Sequence, residues 1–132
     1  AQANLAEATI AAQRALEEGI KNEDKVTTGK AWSILAQISS RLGMYMDIGG
    51  KPVTASECYD RSIGCFPEAD PERGRVLELW GKYEYESDND AKAKDLINDA
   101  LKLYKTLDSQ ADVERVLANW GPVFGWDAPA QK

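Results

Sequence analysis

The stretch P71-ERGRVLELWGKYEYESDNDAKAKDLINDALKLYK-T106 decides the fold. Asp70 precedes a proline, which suits a helix N-cap followed by a first position where a missing N–H does no harm. Val76, Leu77, Leu79, Trp80 and Tyr83 then recur at helical spacing, predicting a helix over about 71–87. Ser87-Asp88-Asn89-Asp90 reads as a turn, with Asp90 as the cap of a second helix over about 91–106. Ala93, Leu96, Ile97, Ala100, Leu101 and Tyr104 form its inward stripe.

The same grammar extends in both directions. Leu5, Ala8, Ala12, Ala15 and Leu16 predict a helix over about 3–18 ended by Gly19. Val26, Ala31, Trp32, Ile34, Leu35, Ile38 and Leu42 predict one over about 24–42. Thr54 with Glu57 three residues later has the form of a capping box, and opens a helix over about 54–65. A last helix, about 110–121, carries Val113, Val116, Leu117 and Trp120, and Gly121-Pro122 ends or kinks it. No strand pattern competes, and residues 43–52 (GMYMDIGGKP) read as a loop. The expectation is a single all-α domain of six antiparallel helices over residues 1–132.

The helices repeat. Leu77-x2-Trp80-Gly81 returns forty residues later as Leu117-x2-Trp120-Gly121, and Trp32-x2-Leu35-Ala36 stands forty-five residues before it. Between them, Ala55-x3-Tyr59-x2-Ser62-Ile63 matches Ala93-x3-Ile97-x2-Ala100-Leu101, and Ala8-x3-Ala12-x2-Ala15-Leu16 precedes both. Two alternating helical signatures at a near-constant period mark an α-solenoid, and are also compatible with an irregular bundle. The pattern resembles the tetratricopeptide repeat family, whose units read Trp-x2-Leu-Gly-x2-Tyr and then Ala-x3-Phe. It departs from that family in its periods of 45 and 40 residues. The resemblance implies a short right-handed tetratricopeptide-like α-solenoid of helix-turn-helix repeats.

It also implies a function. Such arrays hold a partner segment in a concave groove lined by the first helix of each pair. The matching positions here include Lys30, Ser33, Gln37, Ser40 and Arg41, then Arg75, Glu78, Lys82, Tyr85 and Glu86, then Arg115 and Ala118. Lys30, Gln37, Arg41, Arg75, Lys82, Tyr85 and Arg115 are the candidate partner-binding residues. They form a basic groove suited to an acidic peptide or protein segment. The resemblance thus implies a non-catalytic interaction module, or the regulatory or sensory domain of a larger signalling protein.

Composition narrows the alternatives. With 16 Lys+Arg against 22 Asp+Glu, the net charge of −6 disfavours nucleic acid as partner. The absence of His removes Ser-His-Asp and Cys-His catalysis, and two Cys cannot furnish a zinc site. Nothing sets two carboxylates on one inward face, so neither an enzyme nor a cofactor or metal is expected. No apolar run reaches the ~20 residues of a membrane span, and no signal peptide is recognisable. Cys58 and Cys65, two helical turns apart, are expected as free thiols in a reducing, cytoplasmic setting. Trp32, Trp80 and Trp120 are expected in the core. The aromatic tail after Pro122 either folds back over the open end of the stack or packs on a further repeat. Met44, Tyr45, Met46 and Ile48 make the 43–52 loop apolar enough to tuck over the helices or to serve, like the repeat ends, in self-association.

Overall fold

Polar side-chain caps set three of the described helix starts. In the computed structural model, which describes residues 2–43 and 45–126, the helices are α1 (Gln2–Lys21), α2 (Lys25–Leu42), α3 (Ala55–Gly64), α4 (Pro71–Glu86), α5 (Asp90–Thr106) and α6 (Gln110–Phe124). Asp24, Thr54 and Asp70 each accept a backbone N–H from the first turn, of Thr27, Glu57 and Glu72 respectively. The protein is mostly helical, as expected. Contacts divide it into two compact units, Ala1–Pro67 and Glu68–Lys132, with α1–α3 in the first and α4–α6 in the second.

One expectation fails outright. Residues 46–53 form a β-hairpin rather than a loop: β1 (Met46–Ile48) pairs antiparallel with β2 (Lys51–Val53), with Ile48 opposite Lys51. The two-residue connection Gly49-Gly50 has φ of 61° and 80°, a left-handed turn that matches strand twist and that glycine adopts without steric cost. Lys51-Pro52 therefore belongs to a strand, not to the turn. The strands are only three residues long, too short for alternation to stand out. Met46 and Val53 face inward, and Gln13 Nε2 of α1 donates to the Asp47 carbonyl at 3.2 Å. Pro52 removes a donor from the other edge, which blunts both sides against further pairing. Met44 lies outside the described residues, as do residues 127–132 of the tail.

Three helix ends also differ from expectation. Gly19 does not stop α1, which runs on to Lys21; a Cβ there would come within 2.4 Å of Thr28 Oγ1 of α2, so the glycine serves close approach. Asn89, not Asp90, stands at the start of α5, and its amide turns back to Glu84 Oε1 at 3.2 Å. Helix α6 carries Pro122 inside it and ends at Phe124, with Gly125 in the left-handed region at φ 72°.

A single turn recurs between helices. Glu23, Asp88 and Asp108 have positive φ of 54°, 63° and 57°. The amide of the next residue then reaches back five residues: Asp24 to Gly19, Asn89 to Glu84 and Ser109 to Tyr104, at 2.8–2.9 Å. Gly125 and Trp126 repeat it, with the Trp126 amide on the Gly121 carbonyl at 2.8 Å. The six-to-one bond satisfies carbonyls that the helix end leaves unpaired.

The two units pack alike inside. In the first, Gly29 of α2 lies beneath the ring of Phe66, where a Cβ would meet Cε2 at 2.8 Å; Ser62 Oγ donates to the Gly29 carbonyl at 2.7 Å. In the second, a Cβ on Gly74 of α4 would meet the Tyr104 ring at 2.7 Å, and one on Gly81 would meet Ile97 at 2.5 Å. Trp32 and Trp80 are buried, each with a cation from the following helix 4.9 Å from its ring centroid, Arg61 and Lys92. Trp80 Nε1 donates at 2.9 Å to Glu84, a carboxylate only 5% exposed that also takes the Asn89 amide. Trp120 is half-buried rather than core. Cys58 and Cys65 are free thiols, and burial raises Cys58 to about 11.

Glycine substitutions test this packing. Gly64, at the end of α3, has open space around its Cα, so Gly64→Ala is expected to stabilise by about 0.5–1 kcal/mol. Gly74→Ala must push back a rigid ring; overpacking of about 1–3 kcal/mol exceeds the roughly 1 kcal/mol of helix propensity gained. Thermal denaturation should therefore move in opposite directions for the two alanines.

Candidate functional site

Helices α4 and α6 of the second unit face each other across an open cleft of about 340 Å³, lined by Glu78, Leu79, Lys82, Asn119 and Trp120. Spacing puts Arg75, Glu78, Lys82 and Tyr85 on one stripe of α4. At one end the Tyr85 ring stands edge-on to Trp120 (centroids 5.6 Å apart, 84°) and to Phe124 (6.1 Å, 88°). Phe124 stacks flat on Trp120 at 5.5 Å and touches Trp126 at 5.1 Å. Trp126 thus folds back onto the end of α6, and Trp120 and Phe124 of that helix meet Tyr85 of α4 to make an aromatic wall.

The other end of the cleft is polar and tightly organised. Tyr104, 1% exposed, passes its hydroxyl over Gly74 and donates to Glu78 Oε2 at 2.5 Å. Arg115 donates to the same oxygen at 2.6 Å and to Asp112 Oδ1; Ser109 Oγ donates to Asp112 Oδ2. Burial first, then the Glu78 carboxylate, pushes the Tyr104 phenol well above the usual tyrosine range. The hydrogen bond to Asp112, with Glu78 behind it, raises Arg115. Ser109 and Arg115 hold Asp112 below the ordinary carboxylate range. Arg75 pairs with Glu72 at 2.7 Å.

The sequence-derived residues therefore fall into two groups in this unit. Arg75 and Arg115 lie where expected, but the protein's own carboxylates neutralise them. Lys82 and Tyr85 border the cleft, and Lys82 makes no ion pair with any described residue. Glu78 and Lys82 stand four apart in the favourable order for pairing, yet Tyr104 and Arg115 hold the carboxylate instead.

In the first unit, Lys30, Gln37 and Arg41 share an exposed stripe of α2 with Val26 and Ile34, which are 43% and 44% exposed. Lys30 and Arg41 make no ion pair among the described residues. Gln37 Nε2 reaches back to the Ser33 carbonyl at 3.3 Å.

Sequence reasoning missed Leu79, Asn119 and the wall formed by Trp120. The repeat register put Trp120 in the core by analogy with Trp32 and Trp80. The signal that separates it is Phe124, one helical turn later, which offers Trp120 a partner on its own helix. The role of Tyr104 as a donor to Glu78 had no signal beyond a polar atom on an inward stripe. Among the described residues no group of three or more His, Cys, Asp or Glu could hold a metal, and no helix is long and apolar enough to cross a membrane.

Tyr104 gives this network a measurable signature. A tyrosine in the unfolded chain loses its proton near pH ~10, whereas folded Tyr104 keeps it to higher pH. Above that point the unfolded state binds fewer protons, so stability falls as pH rises. Tyr104→Phe should cost about 1–2 kcal/mol at neutral pH, as expected for a hydrogen bond to a largely buried carboxylate that Arg115 also holds. It should also flatten the alkaline decline in denaturant midpoint; parallel declines in the two proteins would overturn the assignment.

Comparison of the chain with protein-family models, with curated proteins and with solved structures returned no match.

Proposed function

We propose that this protein is a non-catalytic interaction module, a short right-handed tetratricopeptide-like α-solenoid whose α4–α6 cleft takes up an extended segment of a partner protein. The observation that carries the reading is the chemistry left unspent in the cleft. Lys82 and Asn119 line the cleft with the half-exposed Trp120, Tyr85 stands edge-on to that indole, and none of the side chains of Lys82, Asn119 and Tyr85 makes a hydrogen bond or ion pair with described residues. A lysine, a carboxamide and a tyrosine hydroxyl around an aromatic face can take both the polar groups and an apolar side chain of a bound chain. The alike packing of Gly29 under Phe66 and Gly74 under Tyr104 supports a repeat origin. The α2 stripe with Lys30, Gln37 and Arg41 offers a second surface for acidic residues of the partner.

Panning a peptide display library on the full chain tests this. Selected peptides should shift the amide resonances of Lys82, Tyr85, Asn119 and Trp120. Lys82→Glu and Trp120→Ala, each checked for an unchanged fold, should weaken binding at least fivefold, an effect of about 1 kcal/mol. Shifts confined to the outer face of α5 would refute the cleft.

A further inference from the structure

Building on that reading, we infer that the cleft selects a segment in which a cation, an anion and a flat apolar side chain alternate at every second residue. Three observations carry this. Glu78 spends one carboxylate oxygen, Oε2, on both Tyr104 and Arg115, and Oε1 receives no donor from the described residues. The cleft therefore holds an acceptor for a cation as well as Lys82 for an anion. Arg75 and Arg115 are neutralised by Glu72, Asp112 and Glu78, so Lys82 is the one cation of the cleft stripe without a carboxylate among the described residues. The second unit has 9 Lys+Arg against 14 Asp+Glu, a net charge of −5, which disfavours a uniformly acidic ligand.

The spacing follows from helix and strand geometry. Glu78 and Lys82 are four residues apart, a rise of ~6 Å, and Tyr85 with its neighbour Trp120 lies ~4.5 Å further along the axis. Alternate residues of an extended chain project to one face ~6.8 Å apart. A cation at one residue, an anion two later and an aromatic or aliphatic residue two beyond that thus meet Glu78, Lys82 and Trp120 in turn. The same order read backwards along the segment meets them equally.

Fluorescence polarisation of labelled peptides against the full chain tests the order at constant composition. Peptides with the cores Lys-Ser-Glu-Ser-Phe and Phe-Ser-Glu-Ser-Lys are compared with Glu-Ser-Lys-Ser-Phe. At least one of the first two should bind about three- to tenfold more tightly than the third, the yield of exposed ion pairs in correct register. Lys82→Glu should abolish that preference and favour a Lys-Ser-Lys-Ser-Phe core. Equal binding of the three ordered peptides, or an unchanged preference in Lys82→Glu, overturns the inference. Display-selected peptides that bind without this order overturn it too while leaving the interaction module standing; a library that yields no binder removes both.

Discussion

The structure depends on how closely paired helices approach, and that distance is set by glycines. Gly29 and Gly74 each sit beneath an aromatic ring carried at the far end of the helix pair, Phe66 and Tyr104. Gly81 makes room for Ile97 in the same way. No other residue fits at 2.5–2.8 Å without displacing its neighbour. The inward residues Ala93, Ile97 and Ala100 reach zero exposure. Tyr104, pressed over Gly74, then delivers its hydroxyl to Glu78, and the cleft inherits its geometry from that contact. A core contact and a surface site are thus joined by one side chain.

Much of this was legible in the residues. The helical stripes, the caps at Thr54 and Asp70, and the small positions Ala93 and Ala100 all announce themselves, because local spacing and hydrogen-bonding capacity determine them. The hairpin did not, because three-residue strands carry too little alternation and Gly-Gly marks a turn without saying what flanks it. Helix ends misled where a glycine served packing, as at Gly19, or where a proline was tolerated within a helix, as at Pro122. At the site, side-chain identity located Lys82 and Tyr85. It could not reveal that Arg75 and Arg115 are consumed by Glu72, Asp112 and Glu78, since Arg115 meets Glu78 across thirty-seven residues of chain.

Charge placement separates scaffold from surface. Glu84, buried, binds Trp80 and Asn89 and so ties the end of α4 to the turn that starts α5. Removing it would orphan the buried Trp80 N–H and release the Asn89 amide, which makes it a fixture of the fold. Arg115 plays a comparable part between α6 and α4. Lys82, Lys30 and Arg41 have no such internal duty among the described residues and are at liberty to meet other molecules.

The tip of the hairpin has a consequence for anyone wishing to handle this protein. Gly49 and Gly50 have no atom within 4 Å of where a side chain would begin, and the strands below them pair only with each other. Extra residues spliced between them displace no neighbouring side chain. Loop-closure entropy grows slowly, about 0.6 kcal/mol for each doubling of length. An epitope or a fluorophore-binding peptide could therefore be carried at this point, in the first unit, leaving the α4–α6 cleft of the second unmodified.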